Sequence, residues 1–285
     1  MRPIEPVAPP LPTLQILSQR WRWASFLHWR VDAALVAHLL PQGTVPDEFD
    51  GSSWVGLIGF HMSEFAVRPG PPLPFFGEFP EINVRLYSVD AEGNRGVVFR
   101  SLEASRLLTV LGARVSLGVP YEWSRMSMRV GREVEYRSRR FGRGHPSTHI
   151  VVRPTDVMVQ HDPLADFLTA RWGMHTRVLG RTRFVPNEHE SWPLQRAELV
   201  TLRDGLLEAA GIPNLAQRPP DSVLYSPGVR TTFGLPLPLP LPLLPCPCPR
   251  RAPAAAPHPP GRQQDEIAET AVNRMNSGVS PSPTC

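Results

Sequence analysis

Glu81, Asn83 and Arg85 stand two residues apart, the spacing that sets three side chains on one face of a β-strand. A carboxylate, an amide and a guanidinium in one row can hold an anion, orient a polar ligand or move a proton. Two environments stay open at this point. On an exposed face the three are solvated surface. On a face that curls around a cavity they form an ionisable pocket wall, where burial would shift their protonation.

Other polar clusters carry less. There are nine histidines, and His145 and His149 are four apart, yet Pro146 opposes a helix presenting both. His28, His61, His175 and His189 fall on different elements, so no metal site is expected. Arg137-Ser138-Arg139-Arg140-Phe141-Gly142-Arg143-Gly144 resembles a nucleic-acid patch, but Glu133 and Glu135 lie close by and no aromatics interleave. A solvated hairpin end is expected there, and no nucleic-acid partner. In Asn187-Glu188-His189-Glu190, adjacent Glu and His would point oppositely on a strand, so a loop or structural role is expected. No Gly-rich phosphate loop and no G-x-S-x-G elbow occur. No cofactor is expected.

The 30 basic residues are all arginine, against 26 acidic ones, giving a net charge of +4. GC-rich coding produces such a bias, and arginine replaces lysine on exposed surfaces at little cost. Whatever its origin, the absence of lysine excludes Schiff-base catalysis by a side-chain amine. The cysteines, Cys246, Cys248 and Cys285, crowd toward the C-terminus. They exclude a disulfide framework or a cysteine-bound zinc in the folded part. Met1 to Pro6 lacks an apolar signal core, and no stretch approaches the ~20 apolar residues of a membrane span. A cytoplasmic protein without membrane contact is expected.

The elements that must position these groups follow from pattern. Residues 1–13 are rich in proline and are expected to be disordered. Trp23 to Val31 reads as a strand, and Asp32 caps a short helix with Leu35, Val36, Leu39 and Leu40 on one face. Trp54 to Phe60 reads as a buried strand, and Ile82 to Val89 alternates cleanly. In that alternation Ile82, Val84 and Leu86 point one way; Asn83, Arg85 and Tyr87 point the other. A strand at Val97 to Leu102 precedes a helix with Leu107, Leu111 and Val115 on one side. Val130 and Val134 pair across a three-residue connection, which also sets Met128 against Tyr136. Strands follow at His149 to Arg153 and Arg177 to Val185, with a helix opened by Asp162-Pro163 between them. A helix over Leu202 to Ala210 and a last strand from Val223 toward Phe233 complete one domain, residues 14–234. From Leu235 the Leu-Pro alternation forces polyproline geometry, and residues 235–285 read as a disordered tail.

Several stretches resemble the YqjF-like family of uncharacterised bacterial proteins. They are Phe26-Leu27-His28-Trp29-Arg30-Val31-Asp32, Pro80-Glu81-Ile82-Asn83-Val84-Arg85, Phe99-Arg100-Ser101-Leu102-Glu103-Ala104 and Leu224-Tyr225-Ser226-Pro227-Gly228-Val229. Pro186-Asn187-Glu188-His189 and Trp192-Pro193-Leu194 add to them. That family is in turn similar to acetoacetate decarboxylase. The resemblance implies an α+β fold: a curled, mostly antiparallel β-sheet enclosing a pocket, with peripheral helices. It also implies that Arg22 matches a pocket arginine and Glu81 a pocket glutamate. Gly118-Val119-Pro120-Tyr121-Glu122 falls where the decarboxylase has an aromatic residue, a proline and two lysines, the first forming the imine. Here those lysines are Tyr121 and Glu122, so the resemblance implies the cavity without the reaction.

The function expected is a small-molecule site, for a small organic acid, with Arg22 pairing its anionic group. Glu81, Asn83, Arg85, Tyr121 and Glu122 would line it with acid-base and hydrogen-bonding groups. The alternative is a non-catalytic binding or scaffolding protein whose pocket charges pair internally. Two outcomes are expected from sequence alone. Borohydride trapping with a β-keto acid should leave no adduct on a side chain within residues 14–234; an adduct found by mass spectrometry would overturn the exclusion. Deleting residues 240–285 should move the unfolding temperature by less than about two degrees, and a larger fall would show that the tail docks.

Overall fold

A computed structural model describes residues 3–73, 77–106, 118–142 and 144–239. The expected helix at Leu107 to Val115 and nearly all of the expected tail lie outside these residues. Among the described residues a thirteen-stranded sheet carries almost all the regular structure. Its long strands are β1 (Gln15–Val31), β3 (Ser53–Val67), β4 (Phe79–Asp90) and β5 (Arg95–Ala104). Next come β6 (Tyr121–Val130), β7 (Val134–Arg140), β8 (Ser147–Met158), β9 (Gly173–Val178) and β10 (Arg181–His189). Then follow β11 (Gln195–Asp204) and β12 (Ser222–Gly234). Two short strands, β2 (Thr44–Pro46) and β13 (Leu237–Pro238), pair at the edges. Neighbours are antiparallel except where β5 meets β6 and β9.

The pairings close on themselves twice. One circuit runs β12-β1-β3-β4-β5-β6-β7-β8-β11 and returns to β12. The other shares β12-β1-β3-β4-β5 and then returns through β9 and β10. The shared wall therefore has a core on each side. Along β3, Trp54, Ile58, Phe60 and Met62 join one core, while Val55 and Leu57 join the other. Along β4, Phe79 and Tyr87 face the first core, and Ile82, Val84 and Leu86 face the second. Period-two alternation is thus read twice, with apolar residues on both faces.

Helices are few and short. Asp32 caps α1 (Ala33–Ala37), accepting from the Ala34 N–H at 2.8 Å. Val36 is buried, but Leu35 is exposed instead of sharing that inner face. Asp162 caps α2 (Pro163–Thr169), which turns Phe167 and Leu168 inward as expected. The helix expected over Leu202 to Ala210 is a single turn, α3 (Leu206–Ala209). Strand β11 continues to Asp204 because Leu202 pairs with Ile150, and Asp204 then accepts from the Leu207 N–H at 2.9 Å.

Three further expectations need correction. The strand read over Arg177 to Val185 is a hairpin, with Leu179 and Gly180 both at positive φ in its two-residue turn. Residues 3–14 form no helix or strand, yet three of them are hydrogen-bonded to the domain. Trp172 Nε1 donates to the Glu5 carbonyl at 2.7 Å, Ser191 to that of Pro6 at 3.0 Å, and the Leu11 N–H to Glu188 at 3.2 Å. At the other end the sheet runs past Leu235, where Leu237 and Pro238 pair with Phe184 and Arg183. A proline fits there because an edge strand needs no donor on its open side. The three-residue connection of β6 to β7 has the expected register, Val130 with Val134 and Met128 with Tyr136. No helix of the described residues is long and apolar enough to cross a membrane.

Between α2 and the first core sits a buried ion cluster. Asp47, fully buried, accepts from Arg95 at 2.6 Å and from Arg171 at 2.5 Å. Arg171 also donates to the Phe167 carbonyl at 2.6 Å and lies over the Phe167 and Tyr87 rings. Breaking a buried pair from one side leaves an uncompensated charge. Asp47→Ala should therefore cost about 3–5 kcal/mol in urea unfolding; a loss below ~1 kcal/mol would show that the guanidinium groups find other partners.

Candidate functional site

The odd-numbered face of β4 carries Glu81, Asn83, Arg85 and Tyr87 into the first core. Glu81 is 2% exposed and Asn83 3%. Tyr121, the first residue of β6, pairs in parallel with Leu102, which pairs on its other side with Asn83. That register brings the Tyr121 hydroxyl to Glu81, donating to Oε2 at 2.7 Å. Asn83 makes a second side-chain hydrogen bond to Glu81. Burial nonetheless pushes the Glu81 carboxyl up to about 7, against the lowering effect of the bonds from Tyr121 and Asn83. Burial, then the nearby Glu81 charge, holds the Tyr121 phenol well above its usual range. A carboxyl poised near neutrality can both give and take a proton.

Farther along the face lies a second group. Gly56 on β3 pairs with His28 and with Arg85, and an added Cβ would meet both side chains at 3.1–3.2 Å. The glycine lets them close over the strand. Arg85 donates from Nε to the Tyr87 hydroxyl at 3.1 Å and from Nη2 to the Leu168 carbonyl at 3.0 Å. Tyr87 in turn donates to Leu168 at 3.0 Å and lies 2.7 Å from His28 Nε2. The single phenol hydrogen can serve either Leu168 or His28 Nε2, and the other ring nitrogen, Nδ1, has no hydrogen-bond partner. Burial first, then the charges of Arg85 and Arg171, holds His28 well below its usual range and therefore neutral.

Charge on this face is unbalanced. No carboxylate pairs with Arg85 among the described residues. Arg95 and Arg171 already divide the one charge of Asp47. Three sealed polar atoms also lack a hydrogen-bond partner there: Asn83 Oδ1, His28 Nδ1 and Arg171 Nη2. His189 on β10 lies among Trp172, Trp192 and Trp21, with ring centroids 4.6, 5.2 and 6.0 Å away. Burial lowers it to about 4, and the charge of Arg85 adds to that lowering. No group of three or more His, Cys, Asp or Glu that could hold a metal occurs among the described residues.

Of the residues singled out from sequence, Glu81, Asn83, Arg85 and Tyr121 share this face. Arg22 and Glu122 do not join them. Arg22 pairs with His61, whereas Glu81 pairs with the next residue back, Phe60, so the two point to opposite sides. The cause is a bulge: Trp23 has φ 51° and the register shifts between Arg22 and Ser25. Arg22 instead binds Glu64 at 3.0 Å, beside Arg20 and Arg230. Glu122 follows Tyr121 in a strand and pairs with Glu103 on the other face. His28 and His189 were weighed in the sequence only as metal ligands or structural groups, and Tyr87 only as the next step of the alternation of Asn83 and Arg85.

Comparison with known proteins places the chain. Residues 18–230 match the model of DUF2071, described as an uncharacterized conserved protein. The chain is 31% identical over 200 residues to uncharacterized protein YqjF of Bacillus subtilis (strain 168), covering 69% of this chain and 82% of that one. Among solved structures it is similar to acetoacetate decarboxylase from Legionella pneumophila, with a TM-score of 0.56 at 13% identity, over 81% of this chain and 92% of that one. The enduracididine biosynthesis enzyme MppR complexed with pyruvate gives 0.53 at 15%, over 80% and 91%. At such identities the structures speak for the fold alone, which is acetoacetate decarboxylase-like. The match across residues 18–230, together with the YqjF likeness, makes the chain a member of the DUF2071 family of uncharacterised conserved proteins.

Proposed function

We propose that the face carrying Glu81, Asn83, Arg85 and Tyr121 binds a small organic acid. Arg85 anchors the carboxylate, in the role the sequence had given to Arg22. The observation that carries this reading is a guanidinium turned into the core with no carboxylate partner, close to sealed polar atoms that lack a hydrogen bond. Such groups are costly unless something completes their bonding. Asn83 lies two residues, about 7 Å, from both Arg85 and Glu81, so one small ligand can span from the anchor to the amide. The Glu81–Tyr121 pair then stands where a proton can be exchanged with the ligand. MppR, of the same fold, is known in complex with pyruvate, which supports an oxo acid as the first probe. With no lysine in the sequence, any chemistry here proceeds without an imine to a side chain. A cytoplasmic setting, as expected from sequence, belongs to the same reading.

Binding should depend on pH through Glu81. Its carboxyl is raised from 4.5 to about 7, so its neutral form favours folding. That contribution is fully present below pH 4.5 and is lost as pH rises through about 7. The displacement corresponds to ~3 kcal/mol, and Glu81→Gln should flatten stability over that window. An anionic ligand is opposed by ionised Glu81, so pyruvate should stabilise wild type most in mildly acidic solution and least above pH ~7.5. Glu81→Gln should bind it equally at both.

A ligand at ~100 times its dissociation constant adds about 2.7 kcal/mol, readily seen as a thermal shift. Pyruvate and a panel of short carboxylic acids should give such a shift in wild type, and Arg85→Gln should abolish it while still unfolding cooperatively. Asn83→Asp, which adds a negative charge at the centre, should weaken it as well. The scaffolding reading finds its support in the ion pairs of Arg22, Arg171 and Arg140. It expects no shift with any acid and a destabilised Arg85→Gln, and that outcome would set the small-acid reading aside.

A further inference from the structure

The outer face of the β6–β7 hairpin carries charge and aromatic surface that play no part in the proposed interior site. Beyond Tyr121, the odd residues of β6 turn to solvent, and so do those of β7. Arg125 stands directly opposite Arg139, Ser127 opposite Arg137, and Arg129 opposite Glu135. All four arginines are exposed. Glu135 is occupied by Arg137 at 2.6 Å and His149 at 2.9 Å, with Arg129 at 3.9 Å. Glu133 is taken by Arg153, and Glu103 by Arg140 from the inner side. Arg125 and Arg139 have no carboxylate partner among the described residues. Like charges directly across a strand pair destabilise it, so this pair costs stability in the free protein.

The same face continues into two aromatic rings. The Phe141 N–H donates to the Trp123 carbonyl at 3.0 Å, extending the ladder past β7. Their side chains lie 4.3 Å apart at 36°, and are 41% and 48% exposed. The basic run was set aside in the sequence because no aromatics interleaved with it. In the fold, Trp123 comes across from β6 and supplies them.

We infer that this face binds single-stranded nucleic acid, with the bases stacking on Trp123 and Phe141 and the phosphates meeting Arg125, Arg139 and Arg137. Successive outward residues on a strand are about 6.7 Å apart, so ring and guanidinium follow each other at a step that suits base and phosphate along an extended strand. Stacking on exposed rings together with a basic track is the general means of holding single strands without sequence preference. A second copy of the chain is a poor occupant, since a two-fold contact would set Arg125 and Arg139 against themselves. A single carboxylate ligand would leave most of the charge unanswered.

The test is fluorescence anisotropy of labelled DNA and RNA single strands of about a dozen nucleotides, using the full chain. Binding should weaken with salt. The double variant Arg125→Ser, Arg139→Ser should weaken it at least tenfold at low salt. It should also make the slope of log affinity against log salt shallower by about 1.4, two phosphate contacts fewer. Trp123→Ser should weaken oligonucleotide binding severalfold yet leave heparin binding unchanged, because heparin has no bases. Circular dichroism should show both variants folded. Absence of binding at ~50 mM salt would overturn the inference, as would binding that neither variant alters. Equal loss of heparin and oligonucleotide in Trp123→Ser would reduce the face to a plain polyanion surface and overturn it too. Self-association of wild type that Trp123→Ser abolishes would identify a second copy as the occupant instead.

Discussion

A strand that belongs to two closed walls at once has, along its middle, no face left to turn to water. Strands β12, β1, β3, β4 and β5 are in that position, and the rest of the molecule follows from it. Along their central stretches even and odd residues feed two different cores, so a polar side chain placed there, such as Glu81 or His28, is desolvated. Glu81 answers by holding its proton up to about pH 7, and His28 answers by staying neutral. Arg85 can do neither, since a guanidinium keeps its charge in protein interiors. It leans on a phenol, a carbonyl and the Phe26 ring instead. The polar row on β4 is therefore an expensive feature of the shared wall.

The fold handles its other charges differently. Asp47 is shared by Arg95 and Arg171, Glu103 is clasped by Arg140 and Ser124, and Glu64 gathers Arg20, Arg22 and Arg230. In those arrangements each carboxylate is bound by more than one donor. Arg85 inside and the Arg125–Arg139 pair outside are left over, on different faces and at different depths. An all-arginine basic set suits such crowding, because a planar fork shares one carboxylate with a neighbour more readily than an ammonium does.

Much of the candidate site was legible in β4 alone. The alternation of Ile82, Val84 and Leu86 with Glu81, Asn83 and Arg85 settled which side chains travel together, and left open only whether their face was wet. Nothing in one strand can decide that, because it depends on a second circuit closed by β9 and β10 far along the chain. Arg22 failed for a local reason: one extra residue at Trp23 reverses the facing of everything before it, and no residue type announces that bulge. Glu122 failed on parity, which the neighbouring Tyr121 already implied. The hairpin of β9 and β10 was missed because Leu179-Gly180 is a weak turn signal beside Asn-Gly. The proline-rich start looked unfit for structure, yet its carbonyls serve Trp172 and Ser191 without needing a ladder.

The sharing of β12 has a consequence for how the chain is made. This strand lies beside β1, beside β11 and beside β10, and it is the last long strand to be synthesised. Neither circuit can close until residue 234 has left the ribosome. Until then β1, one of the first strands to emerge, has β3 on one side and an open edge on the other, with Trp21, Trp23, Phe26 and Trp29 along it. Contacts that span some 200 residues form late and slowly, and an open aromatic edge invites other chains. Nascent chains of this fold thus pass through a long interval in which the wall that carries the polar row of β4 is also the edge most open to other chains.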